Sequence, residues 1–254
     1  MPALPDFLDG RDMLSITPLV ILLDVDNTLL DNDSFTVSLG HRLRHDFGPD
    51  GHDAYWAHYD ALREELGYAD YLTALQRFRI GREDDRRVFM LSSFLLDYPF
   101  TERLYPRALE VIAHLQTQGL TAILSDGDAV FQPRKIQRAG LWDAVCGRVM
   151  ITLHKEQVRD AILRRFPARH YLMVDDKPDL LAAMKTTFGT RLTTIFVRQG
   201  HYAQQANAAA PPPAADHSIK RISDLLTFDL AALRPAKRIL QPTPTPIAVP
   251  ITPH

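Results

Sequence analysis

The sequence predicts an α/β protein, a doubly wound parallel sheet carrying an all-helical insertion. Three observations carry this prediction. Short apolar runs, Val20-Ile21-Leu22-Leu23, Leu120-Thr121-Ala122-Ile123-Leu124 and Tyr171-Leu172-Met173-Val174, each stop at carboxylate or hydroxyl residues, as buried parallel strands do where they leave a sheet. Segments of helical period separate such runs throughout the second half of the chain. Between Asn32 and Tyr98, no strand-like alternation occurs at all, and that stretch is too long to be a simple crossover.

The elements follow in order. Met1 to Thr17 has no clear period and reads as a surface lead-in, with the first strand starting near Leu19. After Asp31-Asn32-Asp33, the positions Phe35, Leu39, Leu43 and Phe47 recur every helical turn until Gly48-Pro49. Tyr55, Tyr59, Leu62 and Leu66 run to Gly67; Tyr71, Leu72, Leu75 and Phe78 run to Gly81; Val88, Leu91 and Leu95 run to Pro99. The insertion is therefore expected to hold about four helices. Pro106 then opens a helix with Leu109, Ile112 and Leu115 on one face, closed by Gly119. The second strand ends at Ser125-Asp126-Gly127-Asp128, and another helix reaches Ala139-Gly140. Gly147 to Ile151 supplies a short third strand, and Val158, Ile162 and Phe166 mark the next helix. The strand at Tyr171 ends in Asp175-Asp176, a helix carries Leu180, Leu181 and Met184, and Leu192 to Val197 is the fifth strand. Gln204 to Ala215 reads as a linker, Ile219 to Leu226 as one more core element, and the prolines beyond Arg234 as an unstructured tail.

Composition narrows the function classes. A chain of 254 residues with a net charge of -2 presents no basic footprint for nucleic acid. No apolar run approaches the ~20 residues that span a bilayer, and no signal segment opens the chain, so a cytoplasmic location is expected. The lone cysteine, Cys146, lies beside Trp142, Ala144 and Val145 and reads as a buried packing thiol. His41 and His45 stand one helical turn apart, but Arg42 and Arg44 beside them repel a divalent ion, and an ordinary polar face is expected.

The chemistry collects at the strand ends. Asp24 and Asp26, one residue apart after an apolar run, can turn toward one cavity above the sheet, where close carboxylates call for a divalent cation. Taken alone, this stretch is equally a strand followed by an Asp-rich turn. Ser125 alone could be a turn residue, Lys155 a solvent-facing lysine and Asp175-Asp176 an N-cap pair. Their order along the chain is what sets those readings aside.

Asp24-Val25-Asp26-Asn27-Thr28, then Leu124-Ser125-Asp126-Gly127, then Lys155, then Asp175-Asp176 resembles the motif series of the haloacid dehalogenase superfamily, over Val20 to roughly Leu226. The resemblance implies a Rossmann-like core of residues 1–31 and 99–228 and a helical cap of residues 32–98, and the prolines leave residues 229–254 as a proline-rich, polyproline-like or disordered tail. It further implies Asp24 as nucleophile, Asp26 as acid and base, and Ser125, Asp126, Gly127 and Lys155 around a substrate phosphate. Mg²⁺ would be held by Asp24, the Asp26 carbonyl and the pair Asp175 and Asp176. The fourth motif departs from the usual Gly-Asp form, because Asp175 stands for the glycine and Leu180 for a following Asp; Asp179 therefore competes with Asp176 as a ligand. Glu156 follows Lys155 where a proline is frequent.

The resemblance points to a Mg²⁺-dependent phosphatase acting on a small phosphorylated metabolite. Dehalogenases of the superfamily attack carbon with a lone Asp, need no metal and lack the second acid. A phosphomutase or phosphotransferase would use the same phosphoenzyme. A non-catalytic phosphate-binding module of the response-regulator type fits less well, since its acidic pair comes first in the chain.

Overall fold

The computed structural model describes residues 16–208 and 215–230. The expected lead-in and tail lie almost wholly outside them, as do residues 209–214 of the expected linker; residues 204–208 of that linker instead continue a helix that starts at Gly200. Strand β1 (Thr17–Leu23) leads into helices α1 (Asn32–Leu66), α2 (Tyr71–Arg79) and α3 (Arg86–Asp97), followed by α4 (Ala108–Gln116) and β2 (Leu120–Asp126). Helices α5 (Phe131–Arg138) and α6 (Leu141–Ala144) precede β3 (Val149–Thr152), and α7 (Arg159–Arg165) precedes β4 (Ala168–Asp175). The chain continues through α8 (Pro178–Phe188), β5 (Leu192–Val197), α9 (Gly200–Ala208) and β6 (His217–Ile219).

The six strands form one parallel sheet in the order β3-β2-β1-β4-β5-β6. The chain steps from β1 to β2 on one side and returns to β4 on the other, so the direction of winding reverses between β1 and β4. A crevice opens at the strand C-termini at such a reversal. Register places Leu23 beside Val174, so Asp24 and Asp175 leave neighbouring strands at the same level.

Alternation along β1 explains the two layers. Ile21 and Leu23 join Val111, Ile112 and Ile136 in one apolar cluster, while Val20 and Leu22 join Ile162, Leu181 and Met184 in another across the sheet. Both faces are covered by helices, and each fully buried aliphatic side chain contributes about 1.5–3 kcal/mol.

The insertion is all helical among its described residues. Helix α1 is kinked at Gly48, whose φ of 73° is a left-handed conformation, and Pro49 has no N–H to continue the ladder. The two halves of α1 correspond to the two periodic runs on either side of that dipeptide. Each cap helix starts on an aspartate: the carboxylates of Asp31, Asp70 and Asp85 accept the backbone N–H groups of Ser34, Thr73 and Arg87. An aromatic knot seals the insertion to the core, with Phe35 packed at 5.0–5.7 Å between ring centroids against Tyr71, Tyr98, Phe100 and Phe131.

Two expectations are corrected. Leu109 is 45 % exposed, because α4 begins at Ala108 and buries Ala108, Val111, Ile112 and Leu115, leaving position 109 turned away from that stripe. Cys146 is exposed, standing in the left-handed turn (φ 52°) after α6. No described helix is long and apolar enough to cross a membrane.

Candidate active site

Three of the four strand-end positions converge at the crevice between β1 and β4. Lys155 follows β3, and its ammonium is buried between two carboxylates, 2.5 Å from Asp24 Oδ1 and 2.8 Å from Asp175 Oδ2. Burial alone would disfavour its charge, but Asp175 and Asp24 outweigh that cost and hold it above the ordinary lysine range. The residue is 1 % exposed, so the reading of a solvent-facing lysine is excluded.

Asp24, Asp175 and Asp176 each bring a carboxylate oxygen within 4.8 Å of the others, and all three are buried. Burial raises the Asp175 carboxyl to about 6, against the pull of Lys155. Burial, with Asp175 and Asp24 close by, lifts Asp176 further. Both oxygens of Asp176 are buried and accept no hydrogen bond. A carboxylate left bare in this way is costly unless a cation completes it. Among the described residues this is the group suited to a metal ion, and its hard oxygen donors suit Mg²⁺ or another hard divalent ion. Asp179, the competing ligand, is exposed on the first turn of α8.

Asp26 stands outside this group and belongs to a second one. Its two oxygens accept from Lys135 Nζ at 2.7 and 2.9 Å, and Lys135 also donates to Asn32 Oδ1 at 3.0 Å. Gln132 Nε2 reaches Asp26 Oδ2 at 3.3 Å and Ser125 Oγ at 3.0 Å. Ser125 is 1 % exposed at the end of β2 and faces this group. Sequence reasoning missed Lys135 and Gln132, which α5 supplies.

The loop after β2 differs from the expected phosphate cradle. The Gly127 N–H already donates to the Thr152 carbonyl at 2.9 Å, so it is tied to the sheet edge. A side chain at Gly127 would meet Gln132 Cβ at 2.8 Å, and this close approach is what demands glycine. The Asp126 carboxylate turns toward β3, where it accepts Thr152 Oγ1 at 2.7 Å and the Lys155 N–H at 2.9 Å. Asp126 thus orients Lys155; its own negative charge is no attraction for phosphate.

A cavity of about 610 Å³ opens above these groups, between the inserted helices and the sheet. Asp26 and Lys177 lie on its floor, Trp56, Tyr59 and Tyr68 on its cap side. Lys177 is a further cation that the sequence reading overlooked. Burial opposes its charge, but Asp24 and Asp175 hold it above the ordinary range, and its ammonium lies 5.2 Å over the Tyr202 ring. His41 and His45 take no part; the imidazole of His45 pairs with Asp46 at 2.7 Å.

A family model for haloacid dehalogenase-like hydrolases matches residues 19–186. The chain belongs to that family. Among solved structures, a haloacid dehalogenase-like hydrolase from Burkholderia xenovorans LB400 is 53 % identical, with a TM-score of 0.78 over 83 % of this chain and 98 % of that one. A HAD-hydrolase from Bacillus subtilis bound to magnesium is 16 % identical (TM-score 0.58, 83 % and 99 % covered). The L-2-haloacid dehalogenase from Xanthobacter autotrophicus is 18 % identical (TM-score 0.51, 82 % and 96 % covered). The last two likenesses show the fold alone. The comparison with curated proteins returns no match. This member of the haloacid dehalogenase-like hydrolases is thus an enzyme by family, with a helical cap over a Rossmann-like sheet.

Proposed function

We propose that this hydrolase is a Mg²⁺-dependent phosphatase of small phosphorylated metabolites, working through an aspartyl-phosphate on Asp24. The observation that carries this reading is the bare, buried carboxylate of Asp176 beside Asp24 and Asp175. Displacing a halide from carbon calls for no cation, and the halide departs as a stable anion that takes no proton. An alcohol leaving phosphorus needs both charge neutralisation and an acid, and the site contains residues for each.

Asp24, Asp175 and Asp176, with the Asp26 carbonyl, would hold the ion. When bound, it neutralises the carboxylates and the phosphate oxygens. In the first step Asp24 Oδ attacks phosphorus, the bond from phosphorus to the ester oxygen breaks, and that oxygen takes the proton of Asp26. In the second, Asp26 removes a proton from water, the water oxygen attacks phosphorus, and the bond to Asp24 breaks, restoring both carboxyls and releasing phosphate. Lys155 holds Asp24 in place, and Lys155 and Ser125 offer positive charge and a hydroxyl to the phosphoryl oxygens. Gly127 has no free N–H to add. The cavity's aromatic side chains and Lys177 face the rest of the substrate.

The test is a panel of phosphorylated metabolites given to the purified protein with Mg²⁺ and with chelator, alongside a 2-haloacid. Free phosphate formed only with metal supports the reading. Phosphoryl transfer to a sugar would assign a mutase or transferase instead, and halide release without metal would end the proposal.

A further inference from the structure

The geometry points to Lys135 as the positioning residue for Asp26, an inference that rests on the phosphatase reading. A lysine 1 % exposed on the buried face of α5 needs a reason, since ordering and desolvating an ammonium is costly. The hydrogen bonds of its ammonium serve Asp26 and the residue that starts the cap. Its Nζ meets both Asp26 oxygens and Asn32 Oδ1, and Asn32 is the first residue of α1. The ammonium also sits 5.3 Å from the Phe131 ring and 6.0 Å from the Phe100 ring, two members of the aromatic knot. Lys135 is thereby fixed from below by apolar rings and from above by acceptors.

The consequence concerns the proton transfer. A carboxyl that must deliver a proton to one oxygen loses rate steeply when it can rotate. Lys135, with Gln132 linking Asp26 to Ser125, leaves the Asp26 carboxyl a single orientation. Because Asn32 shares that ammonium, the acid is tied to the start of the cap, and a shift of α1 alters the hold on Asp26.

An acid matters in proportion to how badly the leaving group needs a proton. The experiment compares kcat and KM of the full chain and its K135M and K135R variants on p-nitrophenyl phosphate, a good leaving group, and on glycerol phosphate, a poor one, with Mg²⁺. K135M is expected to lower kcat on glycerol phosphate about 10²-fold, to lower it less than about threefold on p-nitrophenyl phosphate, and to leave both KM values nearly unchanged; K135R recovers part of the loss. Equal losses on the two esters, or none, would overturn the positioning role while leaving the phosphatase reading intact. Should the unaltered protein hydrolyse neither ester, the phosphatase reading fails and this role with it. Circular dichroism monitors folding; if K135M is unfolded, K135Q and N32A are put through the same comparison and are read by the same ratio.

Discussion

Lys155 and Asp24 lie 131 positions apart in sequence, yet their Nζ and Oδ1 atoms are 2.5 Å apart inside the protein, and the same ammonium reaches Asp175 at 2.8 Å. One buried cation thus ties the end of β1, the end of β4 and the turn after β3 into a single charged centre. Removing one partner of a buried ion pair leaves the other uncompensated, which costs about 3–5 kcal/mol. The K155M variant is expected to lose stability on that scale, measured by urea denaturation, and to lose activity. K155R is expected to rescue poorly, since the planar guanidinium does not occupy the space of an ammonium wedged between two carboxylates.

Asp176 and Asp179 separate a ligand from its neighbour. Asp176 is buried with neither oxygen partnered, whereas Asp179 is exposed. D176N is expected to raise the melting temperature of the metal-free protein by a few degrees, on the order of 2–4 °C per kcal/mol of relieved repulsion, and to abolish any further rise on adding Mg²⁺. D179N is expected to melt and respond as the unaltered chain does. Thermal scans with and without the ion read both.

The raised carboxyls set a pH dependence of known sign. Asp175 moves from 3.8 to about 6, burial being the main cause, and so keeps its proton where the unfolded chain has lost it. That stabilisation is fully present below 3.8 and disappears as pH rises through about 6, so the metal-free protein is expected to weaken across that interval. Divalent binding requires the ionised form. The gain in melting temperature from Mg²⁺ is therefore expected to be small at pH 5 and larger at pH 8.

Phe35 joins cap to core. It is fully buried and touches four aromatic partners, two of them from elements outside the insertion, Phe100 and Phe131. F35A is expected to cost about 3–5 kcal/mol, read from denaturation midpoints, and to lower activity, because Phe131 and Phe100 also support Lys135.

Much of this architecture was legible in the residues, for identifiable reasons. Buried parallel strands are apolar runs, which β1, β2 and β4 show plainly and β3 and β5, next to Arg148 and interrupted by Thr193-Thr194, show less plainly; β6, only three residues long, offers too little pattern to tell a strand from another element. Asp24, Lys155, Asp175 and Asp176 could be found because each lies where a strand or its following turn ends. Lys135 and Gln132 sit inside a helix, where a lysine and a glutamine are ordinary surface residues. The one available signal was their register: both share the stripe of Phe131, Ile136 and Ala139, which the fold buries. Asp126 and Gly127, at the end of β2 and just past it, take their phosphate role from the family resemblance, and no pattern of residue types reveals that the Gly127 N–H donates to Thr152 or that the Asp126 carboxylate turns to Lys155. Leu109 fits a helical period one residue out of phase, an error that a start at Pro106 invites.

The most direct measurement is an acid quench of the protein during turnover of a phosphate-labelled ester with Mg²⁺, followed by peptide mapping. Label is expected on the peptide that carries Asp24, formed within the first turnover and absent in D24N. Steady phosphate release with no label on that peptide, or undiminished release by D24N, would contradict it.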